Sequence, residues 1–249
     1  MDEYLGFAKD LARKAGAIIK DNFDANLSIE LKPDYSPVTD VDREINELVI
    51  RSIHEAYPAH GVLGEEGSKG TGNEELQWIC DPLDGTAAFI VGIKHNSFVL
   101  GLSQQGQVLL SVVYDPFGDN LYHAVKEGGA FCNDEPIHVN AAGLQGGYVI
   151  VEETGYKLYE PLWKAGAILV PAPGAAYRAM LLARGRLSAI VQAKADNHDI
   201  GPASLIVEEA GGKVTLFDGT APRYDQPISS GLVLSNGTCH VELLSAINL

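Results

Sequence analysis

The sequence predicts a chain that combines α+β and α/β architecture, and three observations support this class. Two helical patterns open the chain, alternating strands and turns run from Ser97 to about Phe131, and helices alternate with strands after residue 140. We therefore predict a domain of two helices on an antiparallel sheet (1–140) and a mixed α/β domain (141–249). A chain of 249 residues that is 46% hydrophobic can bury the core that this organisation needs.

The first half is expected to begin with two helices. Apolar residues recur on one helical face over residues 4–23, and a second helix is predicted to begin at Thr39 and end before Pro58. Short strands are predicted in NLSIELK, at the start of GVLGEEG and in LQWIC, and the last is expected to end at DPLDGT. The segments SFVLGLSQ, VLLSVVYD and LYHAVKEGGAF then form an antiparallel meander.

The second half alternates between the two kinds of element. Strands are predicted in GGYVIVEE, AILV, SAIVQA, KVTLF and LVLS, and helices around 158–166, in AAYRAMLLARG, in PASLIVEEA and at the C-terminal end. Such alternation is typical of an α/β layer.

Composition excludes several classes of function. A formal net charge of −15 without a basic cluster argues against nucleic-acid binding. The apolar runs are too short to span a membrane, and the first residues resemble a folded helix rather than a signal peptide. The three cysteines have neither disulfide-framework nor zinc-site spacing. We therefore expect a soluble, cytoplasmic protein.

The stretch WICDPLDGT places two carboxylates directly after an apolar strand. Pro82 has no amide hydrogen and Gly85 permits a sharp turn, so Asp81, Asp84 and the Leu83 carbonyl can converge on one point. Hard oxygen ligands of this kind suit Mg²⁺. A helix that starts after the motif would turn the amides of Gly85 and Thr86 toward an anion. The same pattern also fits an Asx turn or a helix cap without a ligand.

Three further acids are candidates for the same site. Glu65 follows a predicted strand in GVLGEEG, Asp42 lies in VTDVD and Asp199 lies in DNHDIGPASLIVEEAGG. Each also has a structural explanation. Glu65 can be a solvated loop residue, Asp42 completes a capping box with Thr39, and Asp199 can cap a helix that has Pro202 in its first turn.

Taken together and in this order, VTDVD, GVLGEEG, WICDPLDGTAAF and DNHDIGPASLIVEEAGG resemble the signatures of the inositol monophosphatase-like family of Mg²⁺-dependent phosphatases. The resemblance extends over nearly the whole chain. It implies a layered αβαβα sandwich of the sugar-phosphatase type, a homodimer, a small phosphorylated substrate and two or three Mg²⁺ ions, with Mn²⁺ as a possible substitute.

The resemblance also implies roles for individual residues. Glu65, Asp81 and the Leu83 carbonyl would hold the first metal, and Asp81, Asp84 and Asp199 the second. Asp42, Glu65 and Thr86 would be catalytic, with Thr86 and Asp42 positioning a water made nucleophilic by the metal. The implied substrate contacts are Gly85, Thr86, Gly174, Ala175, Gln192 and Asp199.

Departures from the family pattern keep other interpretations open. Ala88, Gln192 and His198 stand where the family commonly has Asn, an acid and Trp, respectively. The substrate could be an inositol phosphate, fructose bisphosphate, histidinol phosphate or a nucleotide 3′-phosphate, or the protein could bind metal without turnover. A haloacid-dehalogenase-type phosphatase is the competing enzyme class, but its motif has one residue fewer between the acids.

Overall fold

The chain folds into alternating layers of helix and sheet, which a computed structural model describes for residues 1–70, 75–225, 228 and 230–247. Two helices cover one face of a large sheet, and a second helical layer separates this sheet from a smaller one. Further helices cover the outer face of the smaller sheet. The predicted αβαβα sandwich is confirmed.

The described residues contain the six predicted helices in the predicted order, together with a short α-helix after the acidic motif and a 3₁₀ helix. They are α1 (Asp2–Asn22), α2 (Asp40–Ala56), α3 (Thr86–Ile90), α4 (Tyr159–Lys164), α5 (Ala175–Ala183), α6 (Asn197–Glu209) and α7 (His240–Ile247), with a 3₁₀ helix at Glu153–Leu158. No helix in these described ranges has both the length and the apolar character needed to cross a bilayer.

The strands form a large sheet, a smaller sheet and a short hairpin. The hairpin is β1 (Ile29–Leu31) and β2 (Pro37–Thr39). The large sheet contains β3 (Gly61–Gly64), β4 (Ser68–Lys69), β5 (Gln77–Asp84), β6 (Ser97–Gln104), β7 (Gln107–Asp115), β8 (Asn120–Val125), β9 (Ala130–Cys132) and β10 (Glu135–Pro136). The smaller sheet contains β11 (Tyr148–Val151), β12 (Ile168–Leu169), β13 (Ala189–Gln192), β14 (Lys213–Leu216) and β15 (Leu232–Ser235).

Strand direction differs between the sheets. The large sheet has the order β10-β9-β8-β7-β6-β5-β3-β4 and is antiparallel except where β3 runs parallel to β5. The smaller sheet has the order β12-β11-β13-β15-β14, with parallel pairs on one side and antiparallel pairs on the other. The domain boundary predicted at residue 140 falls between β10 and β11, and its status as a boundary stays a prediction.

Strand β5 does not end before the acidic motif, contrary to the sequence prediction. It continues to Asp84, and the register with β6 shifts between Asp81, opposite Val99, and Asp84, opposite Ser97. Three residues of β5 thus span two residues of β6, which is a β-bulge. Pro82 lies inside the bulge, where its missing amide hydrogen removes no regular hydrogen bond of the sheet. The bulge places both carboxylates within one continuous buried strand.

Helix α6 packs directly on the large sheet because β6 carries a glycine at the contact. A Cβ on Gly101 would lie 2.8 Å from Cγ of Pro202 and 3.3 Å from the carbonyl oxygen of Leu110. Around this contact the core joins apolar residues of both sheets with those of α5 and α6. The first turn of α6, which carries Asp199, is thereby held beside β5 and β6.

The Gly101 contact predicts that alanine substitutions at two different glycines change the free energy of unfolding in opposite directions. Gly101→Ala should lower the free energy of unfolding by about 1–3 kcal/mol, because its added methyl group has no space. Gly6→Ala, on an open face of α1 where a Cβ meets nothing within 4 Å, should raise it by about 0.5–1 kcal/mol. Urea unfolding of both variants tests this, and equal effects would contradict the packing described.

Candidate active site

Four predicted ligand residues come from three separate elements. Glu65 follows β3 directly, Asp81 and Asp84 lie in β5, and Asp199 lies in the first turn of α6. Burial raises the pKa of Asp81 well above its usual range, and the negative charges of Glu65, Asp199 and Asp84 raise it further. The pKa of Asp199 is likewise raised by burial and then by Asp84 and Glu65. The fold therefore brings the four carboxylates into mutual electrostatic repulsion.

The carboxylate of Asp84 caps the start of helix α5. The amides of Ala175 and Tyr177 donate hydrogen bonds to its two oxygens at 2.6 and 3.0 Å. Burial raises the pKa of Asp84, and the backbone amides at the helix start oppose this rise. The amide of Ala175, predicted as a substrate contact, thus binds Asp84 in this structure.

Asp199 lies within helix α6, so the alternative explanation of this residue as a helix cap is wrong. The helix begins at Asn197, and the carbonyl of Asp196 accepts the amides of Asp199 and Ile200 at 3.2 and 3.1 Å. Pro202 is therefore inside the helix, beyond its first turn. This early start leaves the Asp199 side chain free of a capping role. Its Oδ1 lies 3.0 Å from Nε2 of His198.

Asp42 contacts both Thr39 and Thr86, while the catalytic role that the resemblance implies for it stays a prediction. It completes the capping box of α2, since its Oδ2 accepts the Thr39 amide and hydroxyl at 2.8 and 2.5 Å. Its other oxygen, Oδ1, accepts the Thr86 hydroxyl at 2.9 Å. Burial raises the pKa of Asp42, although the hydrogen bonds from Thr39 and Thr86 oppose the rise. The cap thereby fixes the carboxylate that orients Thr86.

Gly85 occupies a position that only glycine fits. Its φ is +86°, and a Cβ would lie 2.9 Å from the His95 carbonyl oxygen and 3.2 Å from Asn96 Nδ2. The Asn96 amide donates to the Gly85 carbonyl at 2.8 Å, which anchors the residue that precedes helix α3. Helix α3 therefore begins at Thr86, as the anion-binding prediction requires.

Some of the predicted substrate contacts lie around the same motif. Gly174 has φ +76°, and a Cβ there would lie 2.8 Å from Asp84 Oδ2 and 3.3 Å from the His95 carbonyl oxygen. The rings of His95 and Tyr177 stack beside it with centroids 4.7 Å apart. Gln192 is buried at the end of β13, and its Oε1 has no hydrogen-bond partner among the described residues.

Lys32 is a site residue that the sequence interpretation missed. Its Nζ lies 2.5 Å from Glu65 Oε1 and 2.5 Å from Glu66 Oε1. Burial alone would lower its pKa, but the hydrogen bonds and charges of Glu65 and Glu66 outweigh burial and raise it. A single lysine after a short strand is normally a solvated surface residue, so only the fold reveals this pairing.

The donor set suits a hard divalent cation. Glu65, Asp81, Asp84 and Asp199 offer carboxylate oxygens, and burial together with the charges of neighbouring carboxylates disfavours the ionised forms of Asp81 and Asp199. A cation among them would reverse that penalty. Carboxylate oxygens are the ligands that Mg²⁺ prefers. The residues present therefore fit the metal that the resemblance implies.

The layered fold and its group of carboxylates agree with the result of comparison with known proteins. The family model described as the inositol monophosphatase family matches residues 1–248. The chain belongs to this family. The haloacid-dehalogenase interpretation is therefore excluded, and the chain is a phosphoric monoester hydrolase by class.

Relatives named for several different activities match nearly end to end. A histidinol-phosphatase of Chlorobaculum parvum is 34% identical, with 98% of this chain and 96% of the relative covered. A fructose-1,6-bisphosphatase/inositol-1-monophosphatase of Thermotoga maritima is 31% identical, with 98% and 95% covered. The solved IMPase structure of Thermotoga maritima aligns with a TM-score of 0.90 and 29% identity, covering 100% of this chain and 97% of that one.

Repulsion within the site predicts a pH-dependent effect of Asp81→Asn. Because folding raises the pKa of Asp81, its ionisation weakens the metal-free protein as pH rises from about 3.9, the usual pKa of aspartate, through the raised folded pKa. Asparagine does not ionise, so it does not destabilise the folded protein in this way. In the presence of a chelator, the melting temperature of the variant should exceed that of the wild type at pH 7 but not at pH 3.5.

The matched control is Asp21→Asn on the exposed surface of α1. Its difference from the wild type should not change between the two pH values. A constant Tm difference for Asp81→Asn across this range would show that Asp81 carries no such penalty.

Proposed function

We propose that the chain hydrolyses a small phosphate monoester in the manner of an inositol monophosphatase, with two or three Mg²⁺ ions as cofactors and Mn²⁺ as an alternative. The observation that carries the proposal is that Glu65, Asp81, Asp84 and Asp199 lie near enough for their charges to interact, beside a helix that glycine initiates. Glu65, Asp81, Asp84 and Asp199, with the Leu83 carbonyl, would hold the ions. When bound, such ions lower the pKa of water and neutralise phosphoryl oxygens.

The Thr86–Asp42 pair would position the attacking water. The Thr86 hydroxyl has two acceptors, Asp42 Oδ1 at 2.9 Å and the Leu83 carbonyl oxygen at 3.0 Å, and with its proton on either one the lone pairs of Oγ1 can accept a hydrogen bond from that water. Asp42 is fixed by Thr39, so the pair holds one orientation. Glu65 would take part in accepting the water proton.

Backbone amides would hold the phosphate. Gly85 and Thr86 stand at the beginning of α3, where amide hydrogens point away from the helix. Glycine at position 85 allows a ligand to approach the backbone closely. Binding by amides and metal explains how a chain with a net charge of −15 can accept an anion.

The alcohol part of the substrate would face Gly174, Ala175 and Gln192, with Asp199 as a further contact. The buried, unpartnered Oε1 of Gln192 can accept a hydrogen bond from a hydroxyl or amine. The stacked rings of His95 and Tyr177 offer an adjacent aromatic surface. This surface supports histidinol phosphate as a second candidate substrate, in line with the 34% identical relative.

We also propose that the protein acts as a homodimer in the cytoplasm. The family resemblance supports the dimer. The cysteines Cys80, Cys132 and Cys239 are buried and unpaired, which supports a reducing compartment.

Asp84→Asn tests the proposed function. The change removes a metal-binding charge, while the Asn oxygen can still accept the amide of Ala175 at the start of α5. Phosphate release in Mg²⁺ should fall by orders of magnitude, and the far-UV CD spectrum should stay that of the wild type. Asp21→Asn on the surface is the matched control and should keep the wild-type rate.

The assay uses myo-inositol 1-phosphate, fructose 1,6-bisphosphate, histidinol phosphate and a nucleotide 3′-phosphate, each with Mg²⁺ or with chelator. Mg²⁺-dependent release from at least one substrate by the wild type is expected. A near-wild-type rate for Asp84→Asn would overturn the assignment of Asp84. A folded wild type that binds no Mg²⁺ and releases no phosphate would favour a protein without turnover.

A further inference from the structure

Three side chains with metal-binding atoms approach one another more closely than the rest of the site. The ligand atoms of Glu65, His198 and Asp199 all lie within 4.8 Å of one another. Among the residues that the structure describes, this is the one group of three such side chains that meets this limit. It differs from a purely acidic cluster because it contains an imidazole.

The spacing within the group suits ligands of one ion. Two ligands bound at right angles, each about 2.1 Å from a metal, lie about 3 Å apart. Nε2 of His198 and Oδ1 of Asp199 are 3.0 Å apart. Both residues belong to the first turn of α6, which the Gly101–Pro202 contact fixes on the large sheet. The pair is therefore placed by the core of the protein rather than by a loop.

The charges around Glu65, His198 and Asp199 favour the binding of a cation. Lys32 contacts Glu65, but its ammonium also contacts Glu66. Asp84 and Asp196 add negative charge near Asp199. An ion held by Glu65, His198 and Asp199 would balance these charges while the neutral imidazole supplies a nitrogen ligand.

We infer that His198 is a metal ligand, and that with Glu65 and Asp199 it forms a position that selects a divalent transition metal such as Mn²⁺ over Mg²⁺. The inference rests on the proposed metal site and concerns which ion that site takes. An imidazole ligand favours divalent first-row transition metals over Mg²⁺, which prefers oxygen ligands and water, and Mn²⁺ is the member of that series that gains least from it. The competing explanation is that His198 only donates a hydrogen bond to Asp199.

Pulsed EPR of the Mn²⁺-loaded protein distinguishes the two explanations. The wild type should show the hyperfine coupling of a directly coordinated ¹⁴N, and labelling with ¹⁵N-histidine should replace it by a ¹⁵N coupling. The coupling should disappear in His198→Phe, which keeps a ring, and in His198→Gln, which keeps a hydrogen-bond donor. The labelled wild type supplies the answer even if a variant fails to fold.

Calorimetric titration with Mn²⁺ and with Mg²⁺ measures the affinity for each ion and therefore the selectivity of the site. Loss of a partner outside the coordination sphere already costs about 10–100-fold in metal affinity, so loss of a ligand should weaken Mn²⁺ binding at least about tenfold. Mg²⁺ binding should weaken by a smaller factor, whereas loss of a mere hydrogen bond to Asp199 would weaken both alike.

Mn²⁺ binding without a coordinated histidine nitrogen in the wild type would overturn this inference and leave the proposed phosphatase function intact. Equal losses of Mn²⁺ and Mg²⁺ affinity in His198→Phe and His198→Gln would also overturn it. A wild type that binds neither ion would overturn both the inference and the metal site on which it rests.

Discussion

Glu65, Asp81, Asp84 and Asp199 repel one another at a site where Asp81 and Asp84 are buried and Glu65 and Asp199 are partly exposed, and the rest of the site is organised around that repulsion. Burial is the largest influence on the pKa values of the three aspartates, and their neighbours' charges raise those of Asp81 and Asp199 further. A protein gains nothing in stability from such a group. The group makes physical sense as a site whose repulsion a cation relieves, which is the condition for metal-dependent hydrolysis of a phosphate monoester.

The fold offsets the repulsion through backbone groups and through fixed geometry. The amides at the start of α5 bind Asp84, the capping box of α2 holds Asp42, and Lys32 contacts Glu65. The same bonds orient the side chains that would serve the reaction. Structural and functional explanations of these residues are therefore not alternatives: the cap that stabilises α2 also aims Asp42 at Thr86.

Much of this could be predicted from the sequence because helical periodicity and the order of the acidic motifs are local patterns. The capping box of Thr39 and Asp42 is one such pattern, and the structure contains it. The bulge in β5 could not be predicted, since it depends on pairing with β6. Lys32 was missed for the same reason, because its partners lie 33 and more residues away.

The central claim is that a divalent cation relieves the repulsion among the carboxylates of Glu65, Asp81, Asp84 and Asp199. Calorimetric titration of the metal-free protein with Mg²⁺ near pH 6, repeated in two buffers of different ionisation enthalpy, tests this claim most directly. Because the pKa values of Asp81 and Asp199 are raised, binding should release protons and the observed heat should differ between the buffers. Mg²⁺ binding with the same heat in both buffers, or no binding at all, would contradict the account.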